Sequence, residues 1–116
     1  MIFNTSSVER MRILSGGNVG IGIDAPTNLL HINGGGVDVN HQFTNTATGS
    51  LVGDGTIVGI DSVGNTIINN REALPLIVST SGVERMRVLS GGNVGIGISA
   101  PTNLLHINGG GVDVNH

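Results

Sequence analysis

The chain has no cysteine, no lysine, no tryptophan and no tyrosine, and its only aromatic residues are Phe3 and Phe43. Each absence removes a class of protein. Without cysteine there is neither a disulfide framework nor a thiolate metal site, and the redox compartment leaves no mark. Without lysine the basic charge rests on five arginines, set as two pairs and Arg71. No basic stripe tracks a phosphate backbone, so nucleic acid is not an expected partner. No apolar run approaches the roughly 20 residues of a membrane span. The segment from Met1 to Ser7 lacks the basic start and apolar run of a secretory signal, so neither membrane insertion nor signal-driven export is expected from this end.

Glycine is in excess. Its 20 residues are about a sixth of the 116, against a usual share of roughly 7%. Glycine loses much entropy on ordering and brings no side chain to bury, so something beyond a single chain is expected to complete the core. Disorder does not explain the composition, because 38% of residues are hydrophobic, 11% are charged and the net charge is −3.

The strongest feature is an internal repeat. Residues 8–41 and 83–116 are the same 34-residue block at an offset of 75, differing only at Ile13 against Val88 and Asp24 against Ser99. The match continues backwards more loosely, pairing Ile2 with Ile77, Thr5 with Thr80 and Ser6 with Ser81. The organisation expected is a first unit over 1–75, made of the block 8–41 and a middle segment 42–75. A shortened second unit over 76–116 carries the block 83–116. The pattern expected is that of a piece of a longer tandem array, with Met1 standing where the second unit has Leu76; the alternative is a short natural reading frame.

Periodicity separates strand from helix. Asn18 to Ile23 reads N-V-G-I-G-I, with Val19, Ile21 and Ile23 alternating against Gly20 and Gly22, a period of two. In Glu9 to Ile13, Met11 and Ile13 alternate against Arg10 and Arg12, and Val37 to Asn40 shows the same pattern. Between these runs lie Ser15 to Asn18, Ala25 to Asn28 and Asn33 to Gly36, whose Gly, Asn and Pro suit tight turns. The middle segment has the same texture around Thr56 to Ile60 and Thr66 to Ile68. The fold class expected is all-β, built of short strands and Gly-rich turns.

Two architectures fit such a chain: a single-chain β-solenoid, or an elongated, intertwined trimeric β-helix or β-prism in which three chains pool their apolar faces. Thin aliphatic faces favour the second. The trimer core expected is Met11, Ile13, Val19, Ile21 and Ile23, with their copies Met86, Val88, Val94, Ile96 and Ile98. The positions expected to make turns or close packing are Gly16, Gly17, Gly20 and Gly22, with Gly91, Gly92, Gly95 and Gly97. Near-identical blocks are expected to take equivalent backbones.

The motif Glu9-Arg10-Met11-Arg12-Ile13, followed by Gly17 to Gly22 and then Pro26, Leu30 and His31, resembles the repeat of phage tail fibres and related viral fibre proteins. Glu84 to Ile107 carries it again, and Gly53-Asp54-Gly55, Gly59-Ile60-Asp61, Gly64-Asn65 and Asn70-Arg71-Glu72 before Pro75 extend the likeness through the middle segment. Ile23 and Ile98 depart from it, standing where the family usually has Thr. The autocleaving chaperone domain that ends many such fibres has no counterpart in this sequence. The resemblance implies a homotrimeric fibre shaft of a virion, extracellular in function and used in host attachment.

Other chemistry has thinner grounds. The histidines His31, His41, His106 and His116 are two positions in two copies, and only a threefold axis would gather three of one for a metal; a polar or capping role suits them better. Asp54 with Asp61 or Glu72 is the one nonrepeated acidic set a glycosidase could use, and turn-capping, solvated carboxylates are the better account of it. No nucleophile elbow, P-loop or zinc-protease motif is present, so neither enzyme activity nor a cofactor is expected. Glu9, Arg10 and Arg12, with Glu84, Arg85 and Arg87, suggest ion pairs between neighbouring chains or a charged outer face. Asn45, Thr46 and Thr48 suggest a module binding a host-surface glycan or receptor, against which stands the absence of Trp and Tyr to stack on sugars.

Overall fold

The computed structural model describes residues 1–110 and the backbone of residues 113–115. Twelve strands and no helix form among them: β1 (Ile2–Thr5), β2 (Val8–Ile13), β3 (Val19–Ile21), β4 (Leu30–Ile32), β5 (Val39–Phe43), β6 (Thr56–Ile60), β7 (Thr66–Asn70), β8 (Leu76–Thr80), β9 (Val83–Val88), β10 (Val94–Ile96), β11 (Leu105–Asn108) and β12 (Asp113–Asn115). They make three open sheets, ordered β1-β2-β3-β4, β5-β6-β7 and β12-β11-β10-β9-β8. The chain forms two compact units, Met1–His41 with Val58–Ile67, and Gln42–Ile57 with Ile68–His116, so each unit holds one repeated block.

Turn chemistry sets the pairing. Ser6 and Ser7, at φ of 49° and 62°, close β1 onto β2 in a two-residue hairpin; the copy uses Ser81 and Gly82 at 52° and 73°. Two positive φ values match the twist of paired strands, which explains antiparallel pairing here. The next turn is closed by Gly17 N donating to Leu14 O and Leu14 N to Asn18 O, at 3.0 and 2.9 Å. Antiparallel meanders follow, rather than the parallel rungs of a single-chain solenoid.

The exception is informative. β3 and β4 run parallel, as do β10 and β11, joined by only a short crossover. Parallel neighbours usually need a dozen or more residues between them. Here the repeated motif itself makes the short path possible. Asn18 Nδ2 donates to Pro26 O at 3.0 Å, and Pro26 is buried. Its ring sits where a side chain on Gly20 would go, with Cγ 3.3 Å from a Cβ built there. Gly22 takes φ of 70° so the chain can leave the strand. The second copy repeats this with Asn93 and Pro101 at 3.1 Å, and with Gly95 and Gly97.

Two sequence expectations change at this point. Alternation stops at Ile21, because the chain turns at Gly22, and Ile23 lies over Gly20, its O 2.5 Å and its Cγ2 3.2 Å from a Cβ built there. Ile23 and Ile98 therefore sit on the glycine side of their sheets rather than beside Val19 and Ile21. The two blocks also do not share one backbone throughout: their pairing is equivalent from β2 to β4 and from β9 to β11, then diverges at the final V-D-V-N. Met1 fits the repeat reading, since Ile13 N donates to Met1 O and Met1 N to Ile13 O, each at 2.7 Å. It occupies the place of Leu76 opposite Val88.

Little of this is enclosed. Ile57 is the one large aliphatic residue counted as buried, at 6% exposure, and no side chain is fully buried among the described residues.

Candidate interaction face

The registers place apolar side chains on one face of each repeated sheet. Across β1 to β4, Phe3, Met11, Ile21 and Ile32 stand opposite one another, and Ile13, Val19 and Leu30 form the next row. Across β8 to β11 the rows are Val78, Met86, Ile96 and Ile107, then Leu76, Val88, Val94 and Leu105. None is buried: Ile21 and Ile96 are each 40% exposed, Phe3 48% and Leu30 51%, while Met11, Ile13, Met86, Val88 and Val94 are half-buried. Eight of the ten expected core residues lie on these faces, Ile23 and Ile98 being the exceptions. Phe3, Leu30, Ile32 and their equivalents join them unanticipated. Strands of three residues show too little alternation to be read, although Leu30-His31-Ile32 carried a trace of it.

The opposite face is mixed, with Ile2 opposite Arg12 and Ile77 opposite Arg87, and its charged groups are paired locally. Arg12, Gly20 and His31 stand in one row. Arg12 donates through Nε and Nη2 to both carboxylate oxygens of Glu9. Arg87 does the same to Glu84, at 2.6 and 2.5 Å. Strict alternation puts Glu9 and Arg12 on opposite faces. A register shift between Phe3 and Asn4, repeated between Val78 and Ser79, brings them together. Of the two readings of these charges, pairs between chains or a charged outer face, the structure shows Glu9–Arg12 and Glu84–Arg87 paired within the chain. Arg10 and Arg85 are held as well, donating to Thr5 Oγ1 at 2.7 Å and Thr80 Oγ1 at 2.9 Å.

Arg12's hydrogen bonds hold the Glu9 carboxyl below the usual carboxylate range, outweighing its partial desolvation, and Arg87 does the same for Glu84. A lowered folded pKa contributes stability above the ordinary glutamate value, lost as pH falls through the lowered one. Melting temperatures of the parent should therefore converge on those of a Glu9→Gln, Glu84→Gln variant as pH falls from about 6 to about 3. The gap at neutral pH should be small, since exposed pairs contribute little. A constant gap across the range would remove the pairs from the account.

The other candidates are spent on turns. Asp61 Oδ1 accepts from the N–H groups of Asn65 and Val63 at 2.8 and 3.1 Å, and Oδ2 from Asn65 Nδ2 at 2.8 Å. The Asn65 amide is the largest cause holding its carboxyl below the usual range. Asp54 Oδ2 accepts from Leu51 N at 2.8 Å and Glu72 Oε1 from Gly55 N at 2.7 Å. Asp61 and Asp54 each hold their own turn, whereas Glu72 reaches across to the residue after Asp54. Asn45 Oδ1 accepts from Ala47 N and Thr48 N at 2.9 and 3.0 Å, and Thr48 Oγ1 accepts from Asn45 N at 2.9 Å. Of the proposed glycan contacts, Asn45 and Thr48 shape their own loop, and Thr46 is exposed.

His31 and His106 each accept, through Nδ1, from the N–H of Thr27 and Thr102 at 3.4 Å, which closes the crossover. His41 is exposed, and His116 lies outside the described residues. No group of three His, Asp or Glu gathers among the described residues. A cleft of about 490 Å³ is lined by Asn70, Arg71, Glu72, Leu74, Leu76 and Val88, among others. Its polar side chains brace loops: Asn70 Nδ2 donates to Leu74 O at 3.1 Å, and Arg71 to Val52 O. No helix is long and apolar enough to cross a membrane among the described residues. Neither the protein-family models nor the curated proteins contain a match to this chain.

Proposed function

We propose that the chain is a structural repeat of a trimeric viral or phage fibre shaft, which holds an attachment tip away from the particle and so supports binding to the host. The observation that carries this reading is the uncovered apolar face, present twice in the same register 75 residues apart. A face of seven or eight aliphatic and aromatic side chains left half-buried or exposed among the described residues is unfavourable in water. Three such faces turned toward a common axis form a closed prism with small side chains inside, which suits Val, Ile and Met. The polar rows then face outward, where the Glu9–Arg12 and Glu84–Arg87 pairs stay solvated. The repeat supports a spacer, because duplicating a self-similar unit adds length and leaves chemistry unchanged.

The test is the solution mass. Sedimentation equilibrium of the folded protein should return about three times 11.8 kDa. A folded monomer at micromolar concentration would overturn the shaft reading.

A further inference from the structure

The chain carries its own control on strand pairing. Val37 to His41 and Val112 to His116 have the same sequence, V-D-V-N-H, and each follows L-L-H-I-N-G-G-G. In the second block, β12 returns antiparallel onto β11, with Asn115 opposite His106, Val114 opposite Ile107 and Asp113 opposite Asn108. In the first block, Val39–Phe43 joins β6 instead, and β4 ends its sheet with no further strand among the described residues. One sequence thus takes two partners.

The edge left open on β4 is the edge that β11 uses. Val19 N donates to Leu29 O and Asn33 N to Ile21 O, at 2.8 and 2.9 Å, so the main chain of Leu29, His31 and Asn33 faces β3. Alternation then turns the N–H and C=O groups of Leu30 and Ile32 outward. Val94 N donating to Leu104 O at 2.7 Å sets the same parity in β11. Burial follows pairing: Leu30 is exposed and His31 half-buried, where Leu105 is half-buried and His106 buried.

We infer that Val37–His41 is a bistable strand, which can leave β6 and pair with β4 in the register shown by its twin, Asn40 opposite His31 and Val39 opposite Ile32. The local sequence is the same in both blocks, so the preference comes from the partner alone. Gly59 decides for β6: a Cβ there would meet Val39 O and the Asn40 side chain, and would stand 2.8 Å from Asn40 Cα. Asp38 Oδ1 adds a hydrogen bond from Ser62 N at 2.8 Å. The device protects an edge. While the middle segment is unfolded, the strand covers β4 and blocks pairing with other chains; when β6 forms, the strand transfers.

The chain has no cysteine, so an introduced pair reports cleanly. Residues facing each other at non-hydrogen-bonded antiparallel positions have Cα atoms about 4.5 Å apart, within disulfide reach. The reporter is His31→Cys with Asn40→Cys, and the reference is His106→Cys with Asn115→Cys. Each is oxidised in the full chain alone, with Gly59→Val, which crowds β5 off β6, and with Ile57→Ala, which weakens β6 without a clash. The reporter should form its intrachain disulfide at least roughly tenfold faster in either variant than without it, while the reference forms at one rate throughout. Amide exchange at Leu30 and Ile32 should slow in the same variants. Unchanged reporter rates beside a normal reference overturn the switch, as does a reference pair that fails to form in the parent. If Gly59→Val also abolishes the reference, Ile57→Ala decides. The inference stands apart from the shaft reading, because a monomeric chain gives the same intrachain result.

Discussion

Replacing Ile21 and Ile96 together by Asp should leave each chain folded and abolish the trimer proposed above. Both residues lie in the middle of their apolar faces, Ile21 between Met11 and Ile32, and Ile96 between Met86 and Ile107. In the single chain they are 40% exposed, so a carboxylate there keeps its water and the sheet tolerates it. At the proposed threefold core the same carboxylate would lose its solvation and meet two copies of itself. An uncompensated buried charge costs several kcal/mol, which over two positions lowers the assembly constant by on the order of a thousandfold or more. The reference is Ile77→Asp. Ile77 is also exposed but stands opposite Arg87, on the other face, so trimers should survive that change. Sedimentation velocity beside circular dichroism separates assembly from folding. Persistent trimers in the double variant would place the contact elsewhere on the chain.

The second large effect concerns glycine, and it divides positions that look alike in sequence. Gly22 and Gly97 have φ of 70° and 71°, and a Cβ on either meets the carbonyl of Asn33 or Asn108. Valine at either position should therefore cost more than about 2 kcal/mol, since a β-branched residue in left-handed backbone is strained before the clash is counted. Asn33 N donates to Ile21 O at 2.9 Å, and this bond lies beside the clash, so β3 should part from β4. Gly20→Val and Gly95→Val should cost as much for another reason, because Ile23 O and Ile98 O stand 2.5 Å from the built Cβ and a proline ring closes the space. Gly16 and Gly91 have ordinary φ and nothing within 4 Å; alanine there should be nearly neutral. Thermal melting distinguishes the sets, with a fall of at least roughly 8 °C expected for the first two pairs. Equal melting of Gly22→Val and Gly16→Ala would show that the crossover geometry does not hold the fold.

Much of the architecture follows from local chemistry alone. Val19-Gly20-Ile21 can only be a strand, since glycine at alternate positions gives a helix neither propensity nor a face. Ser15 to Asn18 can only be a turn, and two blocks identical at 32 of 34 positions build the same β2-β3-β4 meander because their local preferences agree. A period of two correctly puts eight of the ten apolar residues on shared faces, four in each sheet. That rule fails where the backbone leaves it. The bulge that brings Glu9 to Arg12 depends on register with β1, and Ile23 crosses to the glycine side because the chain reverses at Gly22. Leu30 and Ile32 join the apolar face only because a proline-bearing crossover returns β4 parallel to β3.

V-D-V-N-H marks the limit of what sequence alone decides. It is identical in the two blocks and follows identical residues, yet Val39–Phe43 pairs with β6 in the first block and Asp113–Asn115 with β11 in the second. Alternation establishes that the segment is a strand and which residues share its face. Its partner is absent from that information, because a strand's hydrogen bonds are made to another stretch of chain. The choice belongs to whichever edge is present, unblocked and in register, and the middle segment with its bare Gly59 supplies that edge to the first block.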